Sequence, residues 1–473
     1  MHRREVLKAS AGAAFSLAAL TGCRIKNPGV SGDNSFAHVG DNQSSVRVTD
    51  QGKLAGLTLP QLRDQYRRDL FEDFLPFMDK YIIDHEIGGF MCHTDRDGTN
   101  LSTKKNVQYL GRGVWVYSFL YKELAAEEKY RAIATQALGL LLKNQPQGNH
   151  PWPEEINRIG APIEPEGQQV GSQYIKGAAP KSDSIITEIF VATGLAEYGR
   201  AFGQERYWQI AKEMVLQGIK KYDQADYSPG QAKVFVSLEA SNFPGARHLG
   251  NWMMLLWLGS QMLNYKADKE IEAVLNRCID AIFNYHYNPE YNLFNELLNH
   301  DLSRAENEYR HVVYTGHGIE TLWMVMYEAY RRKDKKLFHQ AAELFKRHIE
   351  VAWDDVYGGF FRGAKNIEDN IWFLDKALYV QEEALIGLLF IMEHTGAQWA
   401  KDWFAKSFTL VQDKYPLKKH GYALWDLWPD RKFTFVEHYH RIGNFHHPRH
   451  LMLGLLTIER MIQRNGKVSN YFS

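Results

Sequence analysis

The sequence predicts an all-α fold, an (α/α)6 toroid in which six helical hairpins set an inner ring of helices inside an outer one. Three observations carry this reading. From Thr58 onward apolar residues recur at helical spacing, and cleanly alternating strands are scarce. Two kinds of helix alternate along the chain, one apolar on all sides and one apolar on a single face. Polar or motif residues near the starts of the all-apolar helices recur at Arg112, Ser184, Asn251, His317, Gln381 and His446, at intervals of 72, 67, 66, 64 and 65 residues.

In chain order, "RREVLK" (Arg3 to Lys8) precedes the small-residue apolar run "ASAGAAFSLAALTG", which ends at Cys23. Twin arginines ahead of a modest apolar stretch read as an export signal, and the run is too short to span a bilayer. "LTGC" (Leu20 to Cys23) has the form of a lipobox. Residues 1–23 are therefore expected to direct export to the bacterial cell envelope (periplasm), with Cys23 as a lipid anchor. Simple cleavage nearby is the other outcome. Residues 24–56, rich in Gly, Ser, Asn and Asp, read as a tether. The toroid is assigned to 57–466 and a tail to 467–473. Cys92 and Cys278 are expected to be buried thiols, since two cysteines make no disulfide framework.

Helices are predicted near 60–80, 110–125, 128–143, 184–201, 205–221, 249–264, 268–286, 316–332, 335–352, 378–395, 398–414 and 446–464. "KKLFHQAAELFKRHI" from Lys335 sets Leu337, Ala341, Leu344 and Phe345 on one face and lysines on the other, as an outer helix requires. "NWMMLLWLGSQML" from Asn251 is apolar almost all round, as is "ALYVQEEALIGLLFIM" from Ala377 apart from one polar patch. Such helices belong inside. Links from inner to outer helices are short, whereas links into the inner helices are long and would gather at one end, where long loops carry function. "DHEIGGF" (84–90) returns as "DDVYGGF" (354–360) and more loosely as "KKHGYAL" (418–424), turn chemistry that marks the repeat.

Lys+Arg and Asp+Glu are equal at 56 each, so no basic field invites nucleic acid and no acidic tail invites a basic partner. The 12 Trp and 25 Tyr suit stacking on sugars, and equally a helical core of large side chains. Monomer and homodimer are both compatible with the sequence.

At the shared mouth, His317 and His446 would lie two repeats apart, about a third of a turn round the ring. Imidazole takes or gives a proton near neutral pH. One histidine can remove a proton from a substrate carbon and the other return one to the opposite face. Such a carbon must lie beside a carbonyl, and Arg112, on the first inner helix, can hold the oxygen that gains charge. Glu320, one turn after His317, can orient its ring or steady its positive form. The rival is a metal centre built from His446, His450, Glu437, His438 and His440. It lacks H-E-x-x-H and any carboxylate at a fixed offset, so no metal and no cofactor are expected. Pro448 falls in a first helical turn, which tolerates it, and His447 and His450 are assigned to packing.

"GHGIETLW" (Gly316 to Trp323) resembles the G-H-x-L-E-x-x-W motif of the N-acylglucosamine 2-epimerase family, which includes cellobiose 2-epimerases and aldose–ketose isomerases. "LGRGVW" (Leu110 to Trp115) is similar to its Q-G-R-x-V-W segment and "FHHPRH" (Phe445 to His450) to its F-H-x-P-R; "GLAEY" (194–198) and "WDDVYGGFF" (353–361) also match. The resemblance runs over about residues 60 to 464. It implies an (α/α)6 barrel and metal-independent proton transfer at C2 of a ring-opened carbohydrate, with site roles for Arg112, His317, Glu320 and His446. The chain departs from the family at "LYVQEEA", where many members read W-W-x-H-x-E-A. Gln381 stands for a histidine, and Leu378 and Tyr379 for tryptophans. Gln381, Asn251, Tyr379 and Trp115 are the expected sugar-binding residues. Two other functions fit the same toroid. A glycoside hydrolase would use two carboxylates among Asp183, Glu320 and Glu383. A sugar-binding lipoprotein would have lost catalysis at Gln381 and Tyr379.

Overall fold

The computed structural model describes residues 46–472 except 147–151, 164–166, 171–172, 177–184, 228–242, 244 and 470. The leader with Cys23, most of the tether, and Asp183 and Ser184 lie outside the described residues. Twelve helices follow. Helix α1 passes through Leu59–Arg68, the π-helical turns Asp69–Phe74, a short Leu75–Phe77 and a second π-helical stretch, Met78–Ile82. The next are α2 (Val107–Glu123), α3 (Glu128–Lys143), α4 (Ile186–Phe202) and α5 (Glu205–Tyr222). They are followed by α6 (Leu249–Tyr265), α7 (Lys269–Asp280, prolonged by π-helical Ala281–His286), α8 (Thr315–Arg332) and α9 (Lys335–Ala352). The last three are α10 (Leu378–Thr395), α11 (Gln398–Lys414) and α12 (His446–Gln463).

The alternation in the sequence becomes two rings. Helices α2, α4, α6, α8, α10 and α12 pack side by side as the inner ring, and α3, α5, α7, α9 and α11 each pack outside the inner helix that precedes them. The chain's first helix, α1, covers its last, α12. Closure falls between α12 and α2. The Phe445 ring stands 5.5 Å from Trp115, and Asn444 donates a hydrogen bond to the Tyr109 carbonyl. Helix α6 shows why the inner helices are apolar all round, since almost every residue from Leu249 to Leu263 is buried. On α9 the buried set includes Phe338, Ala341, Leu344 and Phe345, while Lys335 and Lys336 face water.

Several starts and stops follow local chemistry. The second helix begins three residues earlier than predicted because the Asn106 side chain caps the Tyr109 amide. Asp268 and Asp334 cap α7 and α9 in the same way. Gly203 and Gly396 end α4 and α10 in the left-handed conformation. Helices α2 and α4 touch glycine to glycine. A Cβ on Gly111 would meet the Phe190 carbonyl oxygen at 2.4 Å, and one on Gly194 the Gly111 oxygen at 2.5 Å.

The repeated glycine pairs close two equivalent reversals. In each, the aspartate amide bonds the second glycine's carbonyl and the first glycine's amide bonds the aspartate's carbonyl, at Asp84 with Gly88 and Gly89 and at Asp354 with Gly358 and Gly359. All four glycines have positive φ. The long links form short strand pairs, among them Arg247–His248 with Leu297–Leu298 and Ala364–Asn366 with Ile371–Trp372.

The toroid reaches further than 57–466. The Val48 amide bonds the Gly466 carbonyl, the Val468 amide bonds the Val46 carbonyl, and Val48 and Val468 are buried. Val48 and Val468 are thus held on the body by paired backbone groups and by burial of their side chains. Cys92 and Cys278 are free and buried, and burial pushes the Cys92 thiol up to about 12. Among the described residues no helix is long and apolar enough to cross a membrane.

Candidate active site

The inner helices open on one mouth with their N-termini. His317 is the third residue of α8 and His446 the first of α12, so both sit at this end. Tyr314 lies 4.3 Å from the His317 ring and Tyr379 4.9 Å from the His446 ring, centroid to centroid. The two phenols lie close enough to act on each other electrostatically, so the tyrosine rings line one wall beside the two histidines. Burial pushes both phenols upward in pKa. Arg362 donates to the Tyr314 hydroxyl at 2.9 Å and pairs with Asp375 at 2.8 Å.

Each histidine rests on a buried glutamate through Nδ1. His317 Nδ1 is 2.9 Å from Glu296 Oε1, and His446 Nδ1 is 3.0 Å from Glu383 Oε1. The rings remain partly open, at 17% and 27% exposure, over carboxylates with none. The anchored Nδ1 sets the ring's orientation and leaves the Nε2 edge on the opposite side.

The electrostatics of the two anchors differ. Burial would lower the pKa of His317, but the charge of Glu296 and its hydrogen bond outweigh this and raise it. Glu296 responds in the opposite sense. Burial would raise its pKa, yet the charge of His317, with bonds from His248 and His317, brings it to about 2. At His446 burial lowers the pKa and the cations Arg449 and Arg112 add to it, against a raising effect from Glu320, leaving it at about 3. At neutral pH one mouth imidazole is therefore held toward its charged form and the other is neutral. Two titratable groups driven apart in this way are suited to acid and base roles.

Arg449 decides the second environment. It is fully buried, donates to Glu320 and to Glu383 at 2.5 Å each, and lies with its guanidinium carbon 4.6 Å from the Phe445 ring centroid. Glu296, not Glu320, holds the His317 ring, while the charge of Glu320, itself bonded to the buried guanidinium, still helps to raise the His317 pKa. Arg112 lies over Phe190 at 4.0 Å, and its Nε is buried with no hydrogen-bond partner among the described residues. Burial lowers its pKa to about 10, which leaves it charged at neutral pH.

The other sequence-derived residues occupy different places. Gln381 is buried, with its amide closing two bonds to the Phe360 backbone at 2.8 and 2.9 Å, so it fastens the second glycine-pair turn. Asn251 is buried and bonds Tyr222 toward the outer ring. Trp115 is fully buried and donates to Gln261 Oε1 at 2.7 Å, deeper along the axis. Tyr379 alone of the four expected sugar-binding residues reaches the mouth.

The histidine cluster divides. His447 bonds Glu382, His450 bonds Tyr66, and His438 bonds Asp95 at the surface. Two sets have ligand-like spacing, Glu382 with His447 and His450, and Glu320 with Glu383 and His446. In the second set the Arg449 guanidinium already donates to both carboxylates.

The class so defined is an (α/α)6 toroid with two glutamate-anchored histidines and an arginine at the N-terminal end of its inner helices. Residues 248–440 match N-acylglucosamine 2-epimerase (GlcNAc 2-epimerase). The chain is 24% identical to the N-acylglucosamine 2-epimerase of Bos taurus over 354 residues, 72% of this chain and 77% of that protein. Its fold is similar to that of cellobiose 2-epimerase from Bacillus thermoamylovorans B4167, with TM-score 0.69 and 15% identity over 85% of this chain and 100% of that one. It is also similar to D-mannose isomerase, with TM-score 0.66 and 12% identity over 85% and 97% of the two chains. Over these residues the chain is similar to the N-acylglucosamine 2-epimerase family, and the comparisons support an isomerase.

Proposed function

We propose that the protein is a sugar 2-epimerase or aldose–ketose isomerase that moves the C2 proton of a ring-opened sugar with His317 and His446. The carrying observation is two imidazoles at one mouth, each tied by Nδ1 to a buried glutamate, with pKa values shifted in opposite directions. His446, neutral, takes the proton from C2. The electrons pass to the neighbouring carbonyl oxygen, and Arg112 balances the charge gained there, where a buried guanidinium with an unbonded Nε is worth most. His317, charged, returns a proton to the opposite face of C2, giving the epimer, or to C1 while the C2 hydroxyl proton passes to the C1 oxygen, giving the ketose. A general acid and base of this kind contribute roughly 10²–10⁴-fold each. Tyr379 and Tyr314 form the wall against which the sugar lies.

A hydrolytic reading is less favoured, because Glu320 and Glu383 converge on one guanidinium instead of flanking a cleft. Incubation of the purified protein with mannose, glucose, N-acetylglucosamine or cellobiose in heavy water tests the reading. Deuterium at C2 or C1 of the product supports it. New reducing ends without deuterium favour hydrolysis, and binding without either points to a sugar-binding protein. We further propose envelope placement through Cys23, for which membrane association lost in Cys23→Ser is the check.

A further inference from the structure

A second concavity opens at the other end of the toroid, where the inner helices finish. Its volume is about 410 Å³, within the roughly 300–1,000 Å³ of small-molecule pockets. All six inner helices contribute to it. Tyr327 on α8 lies ten residues beyond His317, and Leu456 on α12 ten beyond His446, so it sits about 15 Å further along the axis. Trp115, Trp257 and Trp323 fill the ring between, each at most 2% exposed.

The lining has a definite chemistry. Phe119, Tyr265, Tyr327 and Phe390 offer aromatic faces. Gln261 and Asn264 bring planar amides; Gln261 accepts from Trp115, and Asn264 donates to Tyr327 at 2.8 Å. The buried charges are balanced. Arg200 bridges Glu197 and Glu123 at 2.6 and 2.7 Å, and Arg460 is held by Glu393 at 2.7 Å. An ionic ligand would therefore find little field to answer it. Independently, Trp257 lines the pocket at 2% exposure, and its Nε1–H has no hydrogen-bond partner among the described residues. A buried donor of this kind calls for an acceptor oxygen.

We propose that this far mouth is a second carbohydrate-binding site, for a neutral mono- or disaccharide, distinct from the catalytic mouth. Aromatic faces take the apolar faces of the sugar ring, and the amides and the Glu197–Arg200 pair take hydroxyls in fixed planes. The inference also accounts for Trp115, whose indole positions Gln261.

Calorimetric titration of the full chain carrying His446→Asn, which blocks turnover, tests it with cellobiose, mannose and N-acetylglucosamine as probes. The expected result is a binding event that Leu456→Trp, placed to fill the pocket, weakens at least tenfold and that Arg112→Ala leaves unchanged. Asn264→Ala and Tyr265→Ala, at exposed positions that do not threaten folding, are expected to weaken the same event several-fold. Binding abolished by Arg112→Ala and indifferent to the pocket variants overturns the proposal, as does no binding of any probe outside the catalytic mouth. If the catalytic reading alone fails, the pocket-sensitive event persists without any Arg112-sensitive one, so the two failures are distinguishable.

Discussion

Glu296 is the residue on which the division of labour between the histidines turns. It is fully buried, touches His317 at 2.9 Å and keeps that ring charged beyond the usual imidazole range. Because the His317 pKa is raised, the acid form is complete below pH 6.5 and is lost as pH rises through the higher value. Activity should accordingly fall on an alkaline limb, while the acid side stays flat until near the His446 value of about 3 or until unfolding intervenes. In Glu296→Gln the charge that raises His317 is gone, burial dominates, and the alkaline limb should move to lower pH with at least a tenfold loss of rate at pH 7.5. A pH–rate profile of both proteins checks this, and an unmoved limb would refute the assignment of His317 as the acid. The histidines were legible in the sequence because each opens an inner helix at the repeat spacing. Glu296 was not. It comes from the long link between α7 and α8, where no periodicity fixes which side chain turns inward. Gln381 misled for a related reason, since its position in the repeat is right but its amide is used up by the Phe360 backbone.

At the scale of elements, the outer helices are stopped by turns that also brace the mouth. Asp354 accepts from Lys376, which is fully buried, and from both ends of the Arg431 guanidinium at 2.8 and 2.9 Å; Asp84 does the same with Lys105 and Arg158. Each lysine also donates to the first glycine's carbonyl. Although burial acts to raise it, these bonds hold the Asp354 carboxyl well below the ordinary range. Its contribution is then complete above about pH 4 and fades as the pH falls further. Asp354→Asn leaves the Lys376 charge buried without its counterion, at a cost of about 3–5 kcal/mol. Urea denaturation at pH 7 should show that loss, with the gap between the variant and the parent protein narrowing toward pH 3. The glycine pairs were readable as turns that mark the repeat. Their lysine and arginine partners lie 17 to 77 residues away and emerge only when the links fold back. A related constraint holds between α2 and α4. Gly111→Ala forces a methyl group to within 2.4 Å of the Phe190 carbonyl oxygen and should cost about 1–3 kcal/mol in the same assay.

For the whole molecule, the alternation of helix types and the spacing near 65 residues were enough to give the toroid, because both express a repeated burial pattern. What holds the ring at its axis is not periodic. Arg449 projects inward from α12, the last helix, binds Glu320 on α8 and Glu383 on α10, and lies against Trp257 on α6 and Trp323 on α8. One guanidinium thus joins four of the six inner helices and sets the charge that His446 feels. Arg449→Met keeps most of the apolar volume and removes that charge. Two carboxylates then remain buried without a counterion, and the expected loss is about 3–5 kcal/mol, partly relieved as they take up protons. His446, freed of a cation that lowers its pKa, should titrate above its value of about 3, so an acid limb should enter the pH–rate profile from below. Adding Glu320→Gln and Glu383→Gln to Arg449→Met replaces the ionic set with neutral groups and should recover most of the stability, since a buried ion pair replaced whole is often neutral in effect. It should not recover activity, because His446 then lacks the carboxylate that orients it. If urea denaturation shows Arg449→Met as stable as the parent, the guanidinium is not what closes the ring. If stability falls but no acid limb appears, Arg449 holds the helices together without setting the protonation of the catalytic base.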